Sequence, residues 1–226
     1  PDQRNAISFL MWGELSRLLV KLDADQDVRA VVITGAGEEA FSAGADINDF
    51  EEYRSDSIKG LRYNNTVNGL LQTLANMATP TISMIRGFAV GGGCELAIAT
   101  DIRLAAEDSR LGIPVARLGI SIGHREMRGL VSLVGKGNAL YILLSGRLVD
   151  ALEAKDMGLV NQVLPPGQLV ETTYKLAKDI ACLAPLSHRA NKAVSYTHLR
   201  AHETREDRVL PRGRSKKSAG GGGGGG

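Results

Sequence analysis

Two glycine-rich segments carry the strongest chemical signal in this 226-residue sequence. One is Phe41-Ser-Ala-Gly-Ala-Asp-Ile47 and the other is Arg86-Gly-Phe-Ala-Val-Gly-Gly-Gly-Cys-Glu-Leu96, each expected just after a β-strand. Turns of this kind at strand ends can aim backbone N–H groups at a single point. Gly91, Gly92 and Gly93 have no Cβ, so a ligand carbonyl can come close to the backbone there. A helix opening at Gly93 would add the positive end of its dipole. This combination suits the stabilisation of an oxyanion or an enolate. Close packing of a helix on a strand accounts for either patch alone, and the pair is what points to chemistry.

Other glycine signals read differently. Gly35-Ala-Gly-Glu-Glu-Ala40 has the spacing of a dinucleotide fingerprint after a strand. That fingerprint needs a helix to open within the glycines and meet the pyrophosphate, and Phe41-Ser-Ala-Gly44 follows too soon for one. Gly135-Lys-Gly-Asn138 lacks the Ser or Thr that a phosphate-binding loop places after its Lys, and reads as a turn between helices. No His, Cys and Asp cluster has the spacing of metal ligands. Cys94 and Cys182 sit far apart in sequence, as expected of reduced structural thiols.

The elements that must position the two segments alternate. Asn5 is expected to cap a helix to about Leu22, with Ile7, Leu10, Met11, Leu15, Leu18, Leu19 and Leu22 on its apolar face. Residues 30–34, 81–85, 102–106 and 160–164 read as short buried strands. Helices are expected over residues 61–78, 126–134, 137–144, 151–157 and 168–182. A short one from Ile47 to Tyr53 would be capped by Asp46, with Asp49 in its first turn. Alternation of this kind argues for an α/β fold with largely parallel strands.

Composition narrows the function classes. At 43% hydrophobic and 23% charged residues the chain can bury one sizeable core, which excludes a disordered tail protein or a disulfide miniprotein. No apolar run reaches the roughly 18–20 residues of a membrane span, and the opening residues lack a signal-peptide pattern. A cytoplasmic protein without a membrane partner is expected. Of 27 basic and 25 acidic residues, seven and three lie after residue 193, leaving 20 and 22 in the body. A mildly acidic body with no basic stripe is not expected to bind nucleic acid.

The two glycine segments, with Thr100-Asp-Ile-Arg-Leu-Ala-Ala-Glu-Asp-Ser-Arg-Leu-Gly-Ile-Pro114, Ser145-Gly-Arg-Leu148 and Ala154-Lys-Asp-Met-Gly-Leu-Val-Asn161, resemble the crotonase (enoyl-CoA hydratase/isomerase) superfamily. The likeness covers nearly all of residues 1–193. It implies a spiral of ββα turns that assembles as a homotrimer or hexamer and takes an acyl-CoA thioester as substrate, with no separate cofactor and no metal. The family's two thioester-binding N–H groups fall on Ala45 and Gly92. Around them Ala43, Gly44, Asp46, Ile47, Gly91, Gly93, Pro114, Val115 and Gly123 are expected at the substrate, and Arg4 near the CoA phosphates. The family's first catalytic glutamate falls on Glu95, where partial desolvation beside Leu96 would make it a better proton acceptor. A first-turn glutamate favoured by the helix dipole is the structural alternative.

The sequence departs from the family at the second glutamate, where Val115 stands. Hydration on Glu95 alone, with another acid recruited, or double-bond isomerisation by one base remains possible. His124 and Glu126 are candidates for the missing group and otherwise read as solvent-facing caps. Decarboxylases of the superfamily carry His at the position of Ala45 and Tyr near Ile122, so decarboxylation is demoted. A non-catalytic acyl-CoA-binding paralogue, or a thioester decarboxylase or hydrolase, is carried as the alternative. Asp101 and Arg103 are assigned to structure. From Val194 the chain resembles a translated sequencing adapter followed by seven glycines, and a non-native or disordered tail is expected there. The alternative is a basic tail for an acidic partner. The body is expected to lack the family's opening β-hairpin and its C-terminal helices.

Overall fold

A computed structural model describes residues 3–53, 56–119 and 123–206, without the side chains of residues 50, 51, 124–126 and 196–206. The chain opens with helix α1 (Phe9–Ala24), strands β1 (Val31–Thr34) and β2 (Ala40–Ser42), and helices α2 (Asp49–Tyr53) and α3 (Ser57–Asn76). Next come β3 (Thr81–Ile85), β4 (Phe88–Val90) and α4 (Gly92–Ile98), then β5 (Ile102–Ala106), β6 (Arg110–Gly112), a 3-10 turn at Val115–Leu118 and α5 (His124–Ser145). The rest is β7 (Val149–Asp150), α6 (Ala151–Asp156), β8 (Gln162–Leu164), α7 (Pro166–Cys182) and α8 (Pro185–Glu206).

Up to β6, successive strands enter two different sheets. One sheet has the order β1-β3-β5-β8, the other β2-β4-β6-β7. All pairs are parallel except β6 with β7. Each of the first three turns therefore lays one strand in each sheet before its helix, as expected of an α/β spiral, and the last places α6 between β7 and β8. The first sheet is covered on both faces, which is why β3 reads as an unbroken buried run. Ile82 and Met84 meet Leu104, Leu164 and Leu169 on the side of α7, while Ile85 and Ala105 belong to the main core.

Strands β1, β3 and β5 match the sequence expectation closely. The second sheet was not expected, since its strands have two or three residues, too few for an alternating pattern. The helices expected at 126–134 and 137–144 form one element that kinks where Gly135 takes φ 74° and ψ 163°. The turn expected at Gly135 is thus present as a break in helical geometry. Helix α8 runs through Val194 without interruption to Glu206.

Helix α1 differs from its prediction in its start and in part of its face. Ser8 is its cap, accepting from the Met11 N–H at 3.4 Å. Asn5 takes φ 54° and donates its amide to the carbonyls of Ala36 and Ala40 at 2.9 and 2.7 Å. Of the expected face, Leu15, Leu19 and Leu22 do turn to the core, whereas Leu10, Met11 and Leu18 are exposed. Trp12 and Leu19 are fully buried. They pack with Tyr63, Val67, Leu70 and Leu74, spaced by three and four residues on α3. A large indole committed to the interior fixes the helix rotation, which leucines spread over two faces do not reveal.

Asp101 and Arg103 serve structure, as expected. Asp101 accepts from the Thr81 N–H and hydroxyl, each at 2.8 Å, and from Lys192 of α8 at 2.6 Å. Buried Arg103 donates to the carbonyls of Leu159 and Thr100. Among the described residues no helix is long and apolar enough to cross a membrane.

Asp23, near the end of α1, accepts from the Thr79 and Ala78 N–H groups at 2.8 and 3.2 Å and so ties α1 to the loop before β3. Its partial burial pushes the pKa up, but these hydrogen bonds and the charge of Lys192 outweigh that and hold it below the usual carboxylate value. A depressed folded-state pKa gives stability that is present above the unfolded value and lost as pH falls through the folded one. In urea denaturation Asp23→Asn should be less stable than the parent at neutral pH and lose less on acidification below about pH 4. Parallel acid limbs for the two proteins would contradict this.

Candidate active site

The two glycine segments meet because their strands are neighbours. β2 and β4 pair in parallel, so the turns that leave them lie side by side. A Cβ built on Gly44 would stand 3.1 Å from the Gly92 nitrogen, and one on Gly92 would stand 3.6 Å from the Ala45 nitrogen. The two N–H groups named from the sequence thus share one small region.

Their directions follow from what the partner carbonyls do. In a trans peptide the C=O and N–H point opposite ways. The Gly44 carbonyl accepts from the Ile7 N–H at 2.7 Å, which turns the Ala45 N–H away from the segment before α1. The Gly91 carbonyl accepts from the Glu95 N–H at 3.0 Å, the first bond of α4, which turns the Gly92 N–H out of the helix end. Neither donor is used in the backbone hydrogen bonds among the described residues outside helices and strands. Two neighbouring N–H groups held this way can receive one oxygen that gains negative charge.

Glycine is required at two of these positions. Gly44 has φ 96°, and its Cβ would also lie 2.6 Å from the Val90 carbonyl oxygen. At Gly93 a Cβ would lie 2.4 Å from the Ser42 carbonyl oxygen, so α4 rests directly on β2. Helix α4 opens at Gly92, with Gly91 as cap, one residue earlier than expected.

Other candidates fall around this pair. Glu95 is half-buried on the first turn of α4. Pro114 caps the 3-10 turn that begins with half-buried Val115, whose side chain packs against the main core. That segment is tied to the donor loop, since the Gly91 N–H donates to the Gly112 carbonyl at 2.8 Å. Asp46 does not cap α2, which starts at Asp49. Its carboxylate instead accepts from the Asn48 N–H at 2.9 Å and closes the preceding turn. Ala43 and Gly123 are exposed, and Ile47 is 73% exposed beside Ala45. Arg4 lies over the Phe88 ring and pairs with Glu39 at 2.7 Å, while its carbonyl accepts from the Ala43 N–H. The side chains of His124 and Glu126, and all of Ile122, lie outside the described residues.

Three contributors were not singled out from the sequence. Ile7 bridges to Ala45 and anchors the Gly44 carbonyl. Buried Ser42 donates its hydroxyl to the Asn5 carbonyl at 2.8 Å and accepts from the Gly44 N–H at 3.1 Å, which fixes the turn. Trp12 packs its ring edge against Gly92. A serine at the last position of an unseen strand gives no signal, whereas a lone tryptophan in a helix could have been noticed. Cys94 is buried beside Glu95, and burial pushes its thiol up to about 12, so it is not a nucleophile at neutral pH.

The chain matches the family model described as enoyl-CoA hydratase/isomerase over residues 1–212. It is 35% identical to the short-chain-enoyl-CoA hydratase of Clostridium acetobutylicum over 192 residues, 85% of this chain and 73% of that protein. To the crotonyl-CoA hydratase of Syntrophomonas wolfei it is 32% identical over 195 residues, 86% of this chain and 74% of that protein. Among solved structures, an enoyl-CoA hydratase/carnithine racemase from Magnetospirillum magneticum superposes with a TM-score of 0.83 at 34% identity, covering 95% of this chain and 77% of that one. The enoyl-CoA hydratase of Bacillus anthracis gives 0.82 at 32% identity, covering 92% and 83%.

Gly44→Ala places a side chain both in a left-handed conformation and against the Val90 carbonyl, so it must displace one donor. Loss of one such donor costs on the order of 10²–10³ in turnover. The expected result for Gly44→Ala is a kcat reduced by about that factor, and unchanged kcat would contradict the described turn.

Proposed function

The chain belongs to the enoyl-CoA hydratase/isomerase family, and we propose that it acts on a 2- or 3-enoyl-CoA through an enolate held by the Ala45 and Gly92 N–H groups, with Glu95 as acid and base. The observation that carries this reading is the pair of adjacent N–H groups whose own peptide carbonyls are both occupied elsewhere. A thioester oxygen between them gains most when it becomes an enolate, since fixed dipoles favour the state with more charge.

The proton steps use one carboxylate. In hydration Glu95 takes a proton from water, the oxygen bonds to C3, the C2=C3 electron pair moves into the enolate, and Glu95 returns the proton to C2. In isomerisation Glu95 removes a proton from C2 of a 3-enoyl thioester and returns it at C4, leaving the double bond between C2 and C3. Val115 cannot hold a proton, so no second carboxylate shares these transfers at that position. Isomerisation needs one base and is the less affected of the two.

We also propose a cytoplasmic enzyme that assembles as a homotrimer or hexamer. Its two cysteines are free, and Leu118, Tyr141, Leu144 and Leu152 are large apolar side chains left exposed on one chain. Sedimentation showing only monomer would remove the assembly proposal.

Turnover of crotonyl-CoA and of a 3-enoyl-CoA tests the reaction. Glu95→Gln should lower both activities by about 10²–10⁴ while acyl-CoA still binds. Equal turnover in that variant would take Glu95 out of the mechanism. Val115→Glu should raise hydration relative to isomerisation, and a ratio unchanged from the parent would contradict the role given to position 115. Binding of acyl-CoA with no turnover of either substrate would favour a non-catalytic acyl-CoA protein.

A further inference from the structure

The two donors sit on different turns, so their separation depends on whatever lies behind both. That is the start of α1. The segment entering it holds the Gly44 peptide through the Ile7 N–H. One turn later Trp12 faces Gly92, where a Cβ would lie 3.0 Å from indole Cζ2 and 3.2 Å from Cη2. The indole is fully buried, and its Nε1–H donates to the hydroxyl of buried Tyr63 at 3.2 Å. Tyr63 in turn meets the Phe9 ring, centroids 5.7 Å apart, and Phe9 stacks on Tyr53 at 4.5 Å.

Gly91 and Gly92 lack side chains that could resist rotation of the peptide between them. Gly91 has φ 53° and open space where its Cβ would be, so on its side only hydrogen bonds, its carbonyl from the Glu95 N–H and its N–H to the Gly112 carbonyl, hold the peptide and no packing does. The indole edge supplies the missing wall at Gly92. We propose that Trp12, locked in place by Tyr63, is a positioning residue that sets the distance between the Gly92 and Ala45 N–H groups and so tunes how strongly they polarise the substrate carbonyl. The role depends on the acyl-CoA reading above. It concerns a residue that touches neither the thioester nor the proton being transferred.

The test compares the full chain with Trp12→Phe, which shortens the wall, and Tyr63→Phe, which removes only the hydroxyl that holds it. The thioester C=O stretch of bound butyryl-CoA is read by difference infrared spectroscopy, alongside kcat and KM for crotonyl-CoA. In the parent the stretch should fall below its value in water. In Trp12→Phe it should move back toward the free value, with kcat about tenfold lower and KM within about twofold, since a misplacement well under 1 Å already weakens an oriented site. Tyr63→Phe should show the same changes at about threefold. Wild-type carbonyl shift and kcat in both variants would overturn the inference. Should Trp12→Phe fail to fold, Tyr63→Phe decides alone in the same terms. Absence of any carbonyl shift in the parent would overturn both the acyl-CoA reading and the positioning role, whereas a shift in the parent that the variants retain overturns only the latter.

Discussion

Two peptide units held by their carbonyls are the constraint on which this site depends. The Gly44 carbonyl is bound by Ile7 and the Gly91 carbonyl by Glu95, and peptide planarity then dictates where the Ala45 and Gly92 N–H groups point. Neither direction is set by a side chain reaching for the substrate. The donors are therefore oriented before any ligand arrives, which is the condition under which fixed dipoles favour a charged transition state without reorganising.

Much of the nearby structure serves that geometry. The two turns are adjacent because alternate strands go to the second sheet, where β2 and β4 are neighbours. They approach closely because Gly44 and Gly93 leave no Cβ between β2 and α4, and because the Ser42 hydroxyl joins the Gly44 N–H to the Asn5 carbonyl. The start of α1 and the segment before it meet both turns, through Ile7 on one side and Trp12 on the other. The first sheet and its cover of α7 contribute rigidity at a distance, with Asp101 and Arg103 satisfying backbone groups at its ends. Val115 sits on a segment tied to the donor loop through the Gly91 N–H and the Gly112 carbonyl.

The legible part of this arrangement was the part written in contiguous residues. Thr81–Ile85 and Ile102–Ala106 are runs in which only Ser83 and Arg103 are neither β-branched nor apolar, and both are strands with those limits. The glycine clusters announced a close backbone approach, and Gly44 and Gly92 do lie together. What was illegible depended on partners distant in sequence. β2, β4, β6 and β7 are too short to show a period and exist because a neighbouring strand completes their hydrogen bonds. Asn5 looks like a helix cap by type, yet its amide is engaged by Ala36 and Ala40, and Ser8 does the capping. Leu10 and Met11 fit an apolar face as well as Trp12 does, and only the packing against Tyr63 and Gly92 decides which one is inside.

The central claim is that a thioester enolate forms between the Ala45 and Gly92 N–H groups. Deuterium incorporation at C2 of a saturated acyl-CoA, followed by NMR in heavy water, reads enolate formation directly and needs neither hydration nor isomerisation to proceed. The account predicts steady exchange at C2 in the parent protein and its loss when the donor turn is disrupted. A protein that binds the thioester and leaves its C2 hydrogens unexchanged would contradict it.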